Sequence, residues 1–313
     1  MKKPIRAAAV QLAAKIGDSD ANIERVERLS IEAVHEGASW IALPEFFNTG
    51  ICWNPEIARA IQPMDGPCAI FLRDFSASRQ VVIGGSFLCR LPDGSVRNRY
   101  LCYAHGSLVG WHDKDLPTMW ENAFYEGGAR SDTGVLGTYD TIRVGSALCW
   151  EYMRTMTARR LRNQVDLIMG GSCWWSIPTH FPSLLQRLWE PGNRRNALLA
   201  LQESARLIGA PVIHGAHCGD ISCPMPGMPL VGYRGFFEGN AAVVDGDGTL
   251  IAHRPPEQGE GIILGEIRPG ARFPSEAIPR RYWLLKRGLL PMVAWRHQRF
   301  LGRRWYARNV CKR

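Results

Sequence analysis

Residues 141–152 constrain the fold more than any other stretch. A run of small and β-branched residues (Thr141, Ile142, Val144, Ala147, Leu148) stops at Cys149-Trp150-Glu151-Tyr152, and residues 155–162 then read as a short basic helix. A strand that enters a helix through a tight corner belongs to α/β folds and lifts its corner side chain to the sheet rim. Backbone N–H groups near the helix start face the same point, where they favour a thiolate and later an oxyanion. Cys149 is therefore the candidate nucleophile. Because a free cysteine more often packs than reacts, it draws its weight from the rest of the chain.

Residues 5–12 read as a first strand, and 21–35 have helical spacing with Asp20 placed to cap them. Further strands are expected at 40–43, 81–86, 99–105, 107–112, 165–169, 211–214, 241–244, 249–252 and 261–265. Gly66-Pro67 opens a helix to about Ser78, and 191–207 is a helix with Pro191 in its first turn. Asp245-Gly246-Asp247-Gly248 is a hairpin turn. Strands alternating with helices predict an α/β fold, and the late hairpin makes its sheet mixed. At 313 residues the chain fits one such domain with a tail, divided here into 1–270 and 271–313.

Charge supports that division. Residues 271–313 hold twelve Lys/Arg against Glu276 alone, leaving 26 basic and 28 acidic residues in 1–270. A near-neutral body lacks the basic face of a nucleic-acid binder. Nine cysteines follow no framework spacing and residues 1–14 do not read as a signal segment, so reduced thiols and a cytoplasmic location are expected.

Glu45 ends the apolar run Ile41-Ala42-Leu43-Pro44, and two aromatics follow it; a carboxylate so placed needs a cationic or donor partner. Lys114 ends the strand before Asp115-Leu116-Pro117. Glu45, Lys114 and Cys149 each stand just past the carboxyl end of a predicted strand, the side on which open α/β sheets bind ligands. A carboxylate to take the thiol proton, an ammonium to stabilise negative charge and a sulfur to attack carbon make a nucleophilic hydrolase.

Leu43-Pro44-Glu45, His112-Asp113-Lys114 and Ala147-Leu148-Cys149-Trp150-Glu151 together resemble, in order and spacing, the nitrilase superfamily of carbon–nitrogen hydrolases. The resemblance runs from about residue 5 to 265. It implies an αββα sandwich with mixed sheets flanked by helices and a Glu-Lys-Cys triad of Glu45, Lys114 and Cys149. It also implies a second glutamate, matched by Glu121, which holds Lys114 and orients the substrate. The implied reaction is acyl transfer through a thioester on Cys149, with Lys114 and the Trp150 N–H stabilising the oxyanion. No cofactor or metal is implied.

The substrate signals divide. Cys149-Trp150-Glu151 and Pro117-Thr118 with Glu121 resemble true nitrilases, whereas Phe46-Phe47-Asn48-Thr49-Gly50 resembles amidases and carbamoylases; amide cleavage is the expectation, with nitrile hydrolysis or amide-forming acyl transfer as alternatives. A catalytically silent binding protein is the reading of another class. Trp150, Trp174, Trp175, Trp53, Trp120 and Tyr152 are candidates for an apolar substrate wall. His214, His217, Cys218 and Cys223 lie close together, but their spacing is not a usual zinc arrangement, and a zinc site ranks below a thiol-containing loop. The tail mixes Trp and Leu with Arg and Lys. By resemblance it reaches into a second copy in a homo-oligomer; interfacial membrane contact ranks lower because Gly288 and Pro291 interrupt a long helix.

Overall fold

The computed structural model of the chain describes residues 2–225, 228–285 and 288–311. In chain order the strands are β1 (Ile5–Leu12), β2 (Trp40–Ala42), β3 (Gln62–Pro63), β4 (Val82–Arg90), β5 (Val96–Ala104), β6 (Ser107–Asp113) and β7 (Val135–Tyr139). They continue with β8 (Ile142–Leu148), β9 (Leu167–Ser172), β10 (Val212–Met225), β11 (Met228–Glu238), β12 (Ala241–Val244), β13 (Leu250–Arg254) and β14 (Gly261–Ile267). The helices are α1 (Ser19–His35), α2 (Glu56–Arg59), α3 (Pro67–Arg79), α4 (Thr155–Leu161), α5 (Ser183–Ile208) and α6 (Leu289–Asn309).

Two mixed sheets lie face to face, one ordered β6-β5-β4-β2-β1-β14 and the other β7-β8-β9-β10-β12-β13. A short parallel pairing of Gln11 with Ala216 and Leu12 with His217 stitches them together. The period of two along each strand decides what fills each layer. Ala7, Ala9, Trp40, Ala42, Val144, Leu167, Met169 and Ile213 pack between the sheets. Ala8, Val10, Ile41 and Ile83 meet Val26 and Leu29 of α1 and Leu72 of α3. Ala147, Ile168 and Val212 meet Leu161 of α4 and Leu201 of α5 on the opposite side. The layers are those of an αββα sandwich.

Four local expectations differ from the structure. Gly288 and Pro291 do not interrupt a long helix: α6 runs over 21 residues with Gly288 at its N-cap and Pro291 in its first turn, where the missing N–H costs no helical hydrogen bond. Asp18, not Asp20, caps α1 by accepting from the Ala21 N–H at 3.2 Å; Asp20 falls inside the first turn, where its charge suits the helix dipole. α5 begins at Ser183, so Pro191 lies within the helix and not at its start. Residues 218–225, beyond the strand expected at 211–214 and within the expected thiol-containing loop, extend β10 and pair antiparallel with β11. Cross-strand pairing there overrides the turn character of Pro224.

α6 folds back over its own chain. Trp295 Nε1 donates to the Pro117 carbonyl at 3.0 Å, and the Val96 N–H donates to the Tyr306 hydroxyl at 2.9 Å. Gly302 lies so close to the 3-10 turn Met119–Ala123 that a Cβ there would come within 2.9 Å of the Ala123 nitrogen. No helix among the described residues is long and apolar enough to cross a membrane.

Candidate active site

β2 and β8 run parallel within their sheets, and both release their chains at the same rim of the sandwich. Glu45 follows β2, Lys114 follows β6, and Cys149 is the first residue after β8. The Leu43–Glu45 backbone lies directly on Gly171 and Gly215, which are paired across β9 and β10. A Cβ at either would approach that backbone to 2.5 Å, so this seat for Glu45 requires glycine. Cys149 has φ +48°, Phe46 φ +53° and Met119 φ +48°. Left-handed backbone at a non-glycine residue costs of order 1–3 kcal/mol and concentrates where geometry is functional. Here it flanks all three segments that meet at the site.

Four side chains converge. Lys114 Nζ donates to Glu45 Oε1 at 2.8 Å and to Glu121 at 2.8 and 3.0 Å. The ligand-type atoms of Glu45, Glu121 and Cys149 all lie within 4.8 Å of one another. Lys114 Nζ holds the cation position between the two carboxylates. Glu45 also accepts from Asn98 Nδ2 at 2.8 Å and from the Cys173 N–H at 3.1 Å. Glu121 accepts from the Thr118 N–H at 2.8 Å and from the Tyr125 hydroxyl. All four residues are buried, and withdrawing such ions from water costs several kcal/mol each unless partners compensate, as they do here.

Burial, reinforced by Glu121 and opposed by Lys114, raises the Glu45 carboxyl to about 7. Burial works against the Lys114 charge, but Glu121 and Glu45 hold the ammonium protonated, above the usual lysine range. Burial and the Glu45 charge push the Cys149 thiol well up, against the pull of Lys114. The resting site is thus a protonated thiol beside a carboxylate poised near neutrality.

A second layer fixes the first. Glu151 accepts from the Leu148 N–H at 2.9 Å and the Asp115 N–H at 3.0 Å, tying the cysteine corner to the lysine loop. His112 bridges Glu151 at 3.0 Å and Asp132 at 2.8 Å. Burial disfavours its charge, yet the two carboxylates prevail and raise the imidazole to about 10. His217 meets the Glu45 carbonyl at 2.7 Å, and burial lowers it to about 4, so its Nε2–H donates as a neutral ring. In the sequence His112 and Glu151 stand out only as members of the lysine and cysteine motifs; their pairing across 39 residues leaves no sequence signal.

A cavity of about 210 Å³ lies beside this cluster. Its wall includes Trp120, Trp150 and Trp174, the chain neighbours of Glu121, Cys149 and Cys173, together with Trp175 and Tyr233. Among its described lining residues none is charged. Trp174 Nε1 donates to Asn193 at 3.0 Å and Trp175 Nε1 to the Ile51 carbonyl at 2.9 Å. Two expected wall residues lie elsewhere. Trp53 packs against Trp305, 5.9 Å between ring centres, because α6 covers it. Tyr152 is buried against His214, 5.2 Å between ring centres, and is not among the residues that line the cavity.

The carbon-nitrogen hydrolase family model matches residues 6–272. The chain belongs to the nitrilase superfamily of carbon–nitrogen hydrolases. This hydrolase is similar to a cyanide hydratase of Armillaria gallica, 25% identical over 278 residues, with 83% of this chain and 76% of that one covered. It is 27% identical to a bifunctional nitrilase/nitrile hydratase of Nicotiana tabacum, and there the chain spans about half of the relative's length, 47% of each being covered. Among solved structures, an amidase from Nesterenkonia sp. superposes with a TM-score of 0.63 at 17% identity, over 84% of this hydrolase and 90% of that chain. The His214–Cys223 segment of the hydrolase does not gather its candidate ligands: His214 meets Ser172 at 3.0 Å, and His217 meets Glu45.

Proposed function

We propose that this hydrolase cleaves uncharged nitriles through a Cys149 thioimidate and thioester, with the corresponding amides as the second reading. The observation that carries the chemistry is the convergence of Glu45, Lys114, Glu121 and Cys149 within one buried cluster. Glu45 takes the Cys149 proton as sulfur bonds to the nitrile carbon and returns it to nitrogen, giving a thioimidate. Lys114 Nζ and the Trp150 N–H stabilise the charge that develops on nitrogen, then on oxygen. Water, deprotonated by Glu45, adds to the thioimidate; ammonia departs and leaves the thioester. A second water releases the acid and restores the thiol. An amide enters this sequence one addition later and passes through the same thioester. Glu121, held by Thr118 and Tyr125, fixes Lys114 and so acts as a positioning residue.

The nitrile reading rests on Cys149-Trp150-Glu151 and on the nitrile-related names of the sequence relatives. Amide cleavage is favoured by Phe46-Phe47-Asn48-Thr49-Gly50. Among the described lining residues no cation is available for a substrate carboxylate, which speaks against N-carbamoyl amino acids. Ammonia release over a panel of neutral nitriles and amides, with Cys149→Ala as control, separates the readings. Nitrile turnover lost in the variant is expected. Ammonia from amides alone would select the second reading, and full activity in the variant would remove Cys149 from the chemistry.

A further inference from the structure

The two faces of α6 differ in character. Its inner face supplies Pro291 and Ala294 to the cavity wall and packs Trp295, Gly302 and Tyr306 on the body. With about 100° of turn per residue, Val293, Phe300 and Ala307 fall on the opposite side, where a spacing of seven sets them in one ridge. Val293 is 64% and Phe300 56% exposed. Arg296, Arg299 and Arg303 border the ridge on one flank, Arg304 and Arg308 on the other. All five are exposed, and none forms an ion pair among the described residues. Residues 277–313 contain no Asp or Glu, so no acid of this segment offsets the charge. The exposed Tyr282 lies within the field of Arg299 and widens the patch with an aromatic of amphipathic type.

We propose that the outer face of α6 is a peripheral docking surface for anionic lipid bilayers. An apolar ridge between cationic flanks is the pattern of helices that lie in the membrane interface. Val293 and Phe300 enter the boundary between headgroups and acyl chains, while the arginine stems run along the ridge and the guanidinium groups pair with lipid phosphates. Arg304 already lies over the Phe300 ring at 4.0 Å, a contact that strengthens when water is withdrawn. A second copy meets this face badly, because a two-fold pairing would set arginine against arginine. Nucleic acid would neutralise the arginines but offers Val293 no hydrocarbon to enter. Docked in this way, α6 holds the cavity one helix diameter, roughly 10 Å, from the bilayer. The docking surface does not depend on which carbon–nitrogen bond the site cleaves.

The test is co-sedimentation of the full chain with vesicles of phosphatidylcholine alone and of phosphatidylcholine mixed with phosphatidylglycerol. The mixed vesicles are expected to bind the protein about tenfold more tightly or better, with the difference closing as salt is raised. Val293→Ser combined with Phe300→Ser should weaken binding to the mixed vesicles. Arg296→Glu combined with Arg304→Glu should bring it down to the level of the neutral ones, with thermal unfolding reporting an intact fold in both cases. Equal binding to the two vesicle types, or binding to mixed vesicles that survives either pair of substitutions, would overturn the assignment. Duplex DNA bound more tightly than the mixed vesicles would overturn it in favour of nucleic acid. A dimer in sedimentation velocity that the two serine substitutions dissociate would give the face to a second copy instead.

Discussion

Glu45 decides the pH behaviour of the site. Its carboxyl is raised to about 7 by burial, with Glu121 adding to the shift and Lys114 opposing it. As the proposed base it must be ionised, so kcat/KM should rise with pH up to about 7, changing about tenfold per pH unit on the acid side. Neutralising Glu121 removes a charge that raises Glu45, so the residual activity of Glu121→Gln should have its acid limb displaced to lower pH. A pH–rate profile checks both, and an unmoved limb would mean that Glu45 is not the titrating group. Glu45, Lys114 and Cys149 were legible in the sequence because each ends a recognisable strand. Two further hydrogen-bond partners of Glu45 were not: Asn98 lies mid-strand in β5, and the Cys173 N–H is a backbone group that any residue supplies.

At the scale of elements, the strand ends meet because Glu151 and His112 bind the cysteine corner to the lysine loop. His112 is raised to about 10, so its contribution to stability is fully present below its ordinary value of about 6.5. That contribution should fade as pH climbs through about 10. His112→Ala leaves Glu151 and Asp132 without their shared cation, and breaking such a buried pair costs about 3–5 kcal/mol. Calorimetric unfolding at pH 6 and pH 10 should therefore show a large loss at the lower pH and a smaller one at the higher. An equal loss at both would remove the imidazolium from the account. Sequence periodicity located most strands because one face of each is buried against the opposite sheet. It missed the β10–β11 hairpin, where prolines imitate a loop, and the first two turns of α5, where Pro191 imitates a helix start.

At the scale of the molecule, the basic extension packs on the loop between Lys114 and Glu121 and its following turn. α6 lies on the turn that carries Glu121, with Gly302 allowing the close approach. Gly302→Val should push α6 away, lowering both thermal stability and kcat/KM although residue 302 lies far from Cys149 in sequence. Normal activity with a displaced helix, detected by limited proteolysis, would show that the site is complete without it. The sequence marked this segment by charge, but charge describes its exposed side and is silent about the face that packs.

The uncharged wall of the cavity also bears on how a cycle ends. In the proposed reaction a neutral molecule enters and a carboxylate is produced at the reacting carbon, where Lys114 is already shared by Glu45 and Glu121 and the described lining residues of the cavity add no further cation. The hydrolysed acid should consequently be a much poorer competitive inhibitor than the isosteric alcohol, a comparison available from steady-state kinetics. Hydrolysis would then drive its own discharge, because the ionised product is better solvated by bulk water than by the indoles it leaves behind.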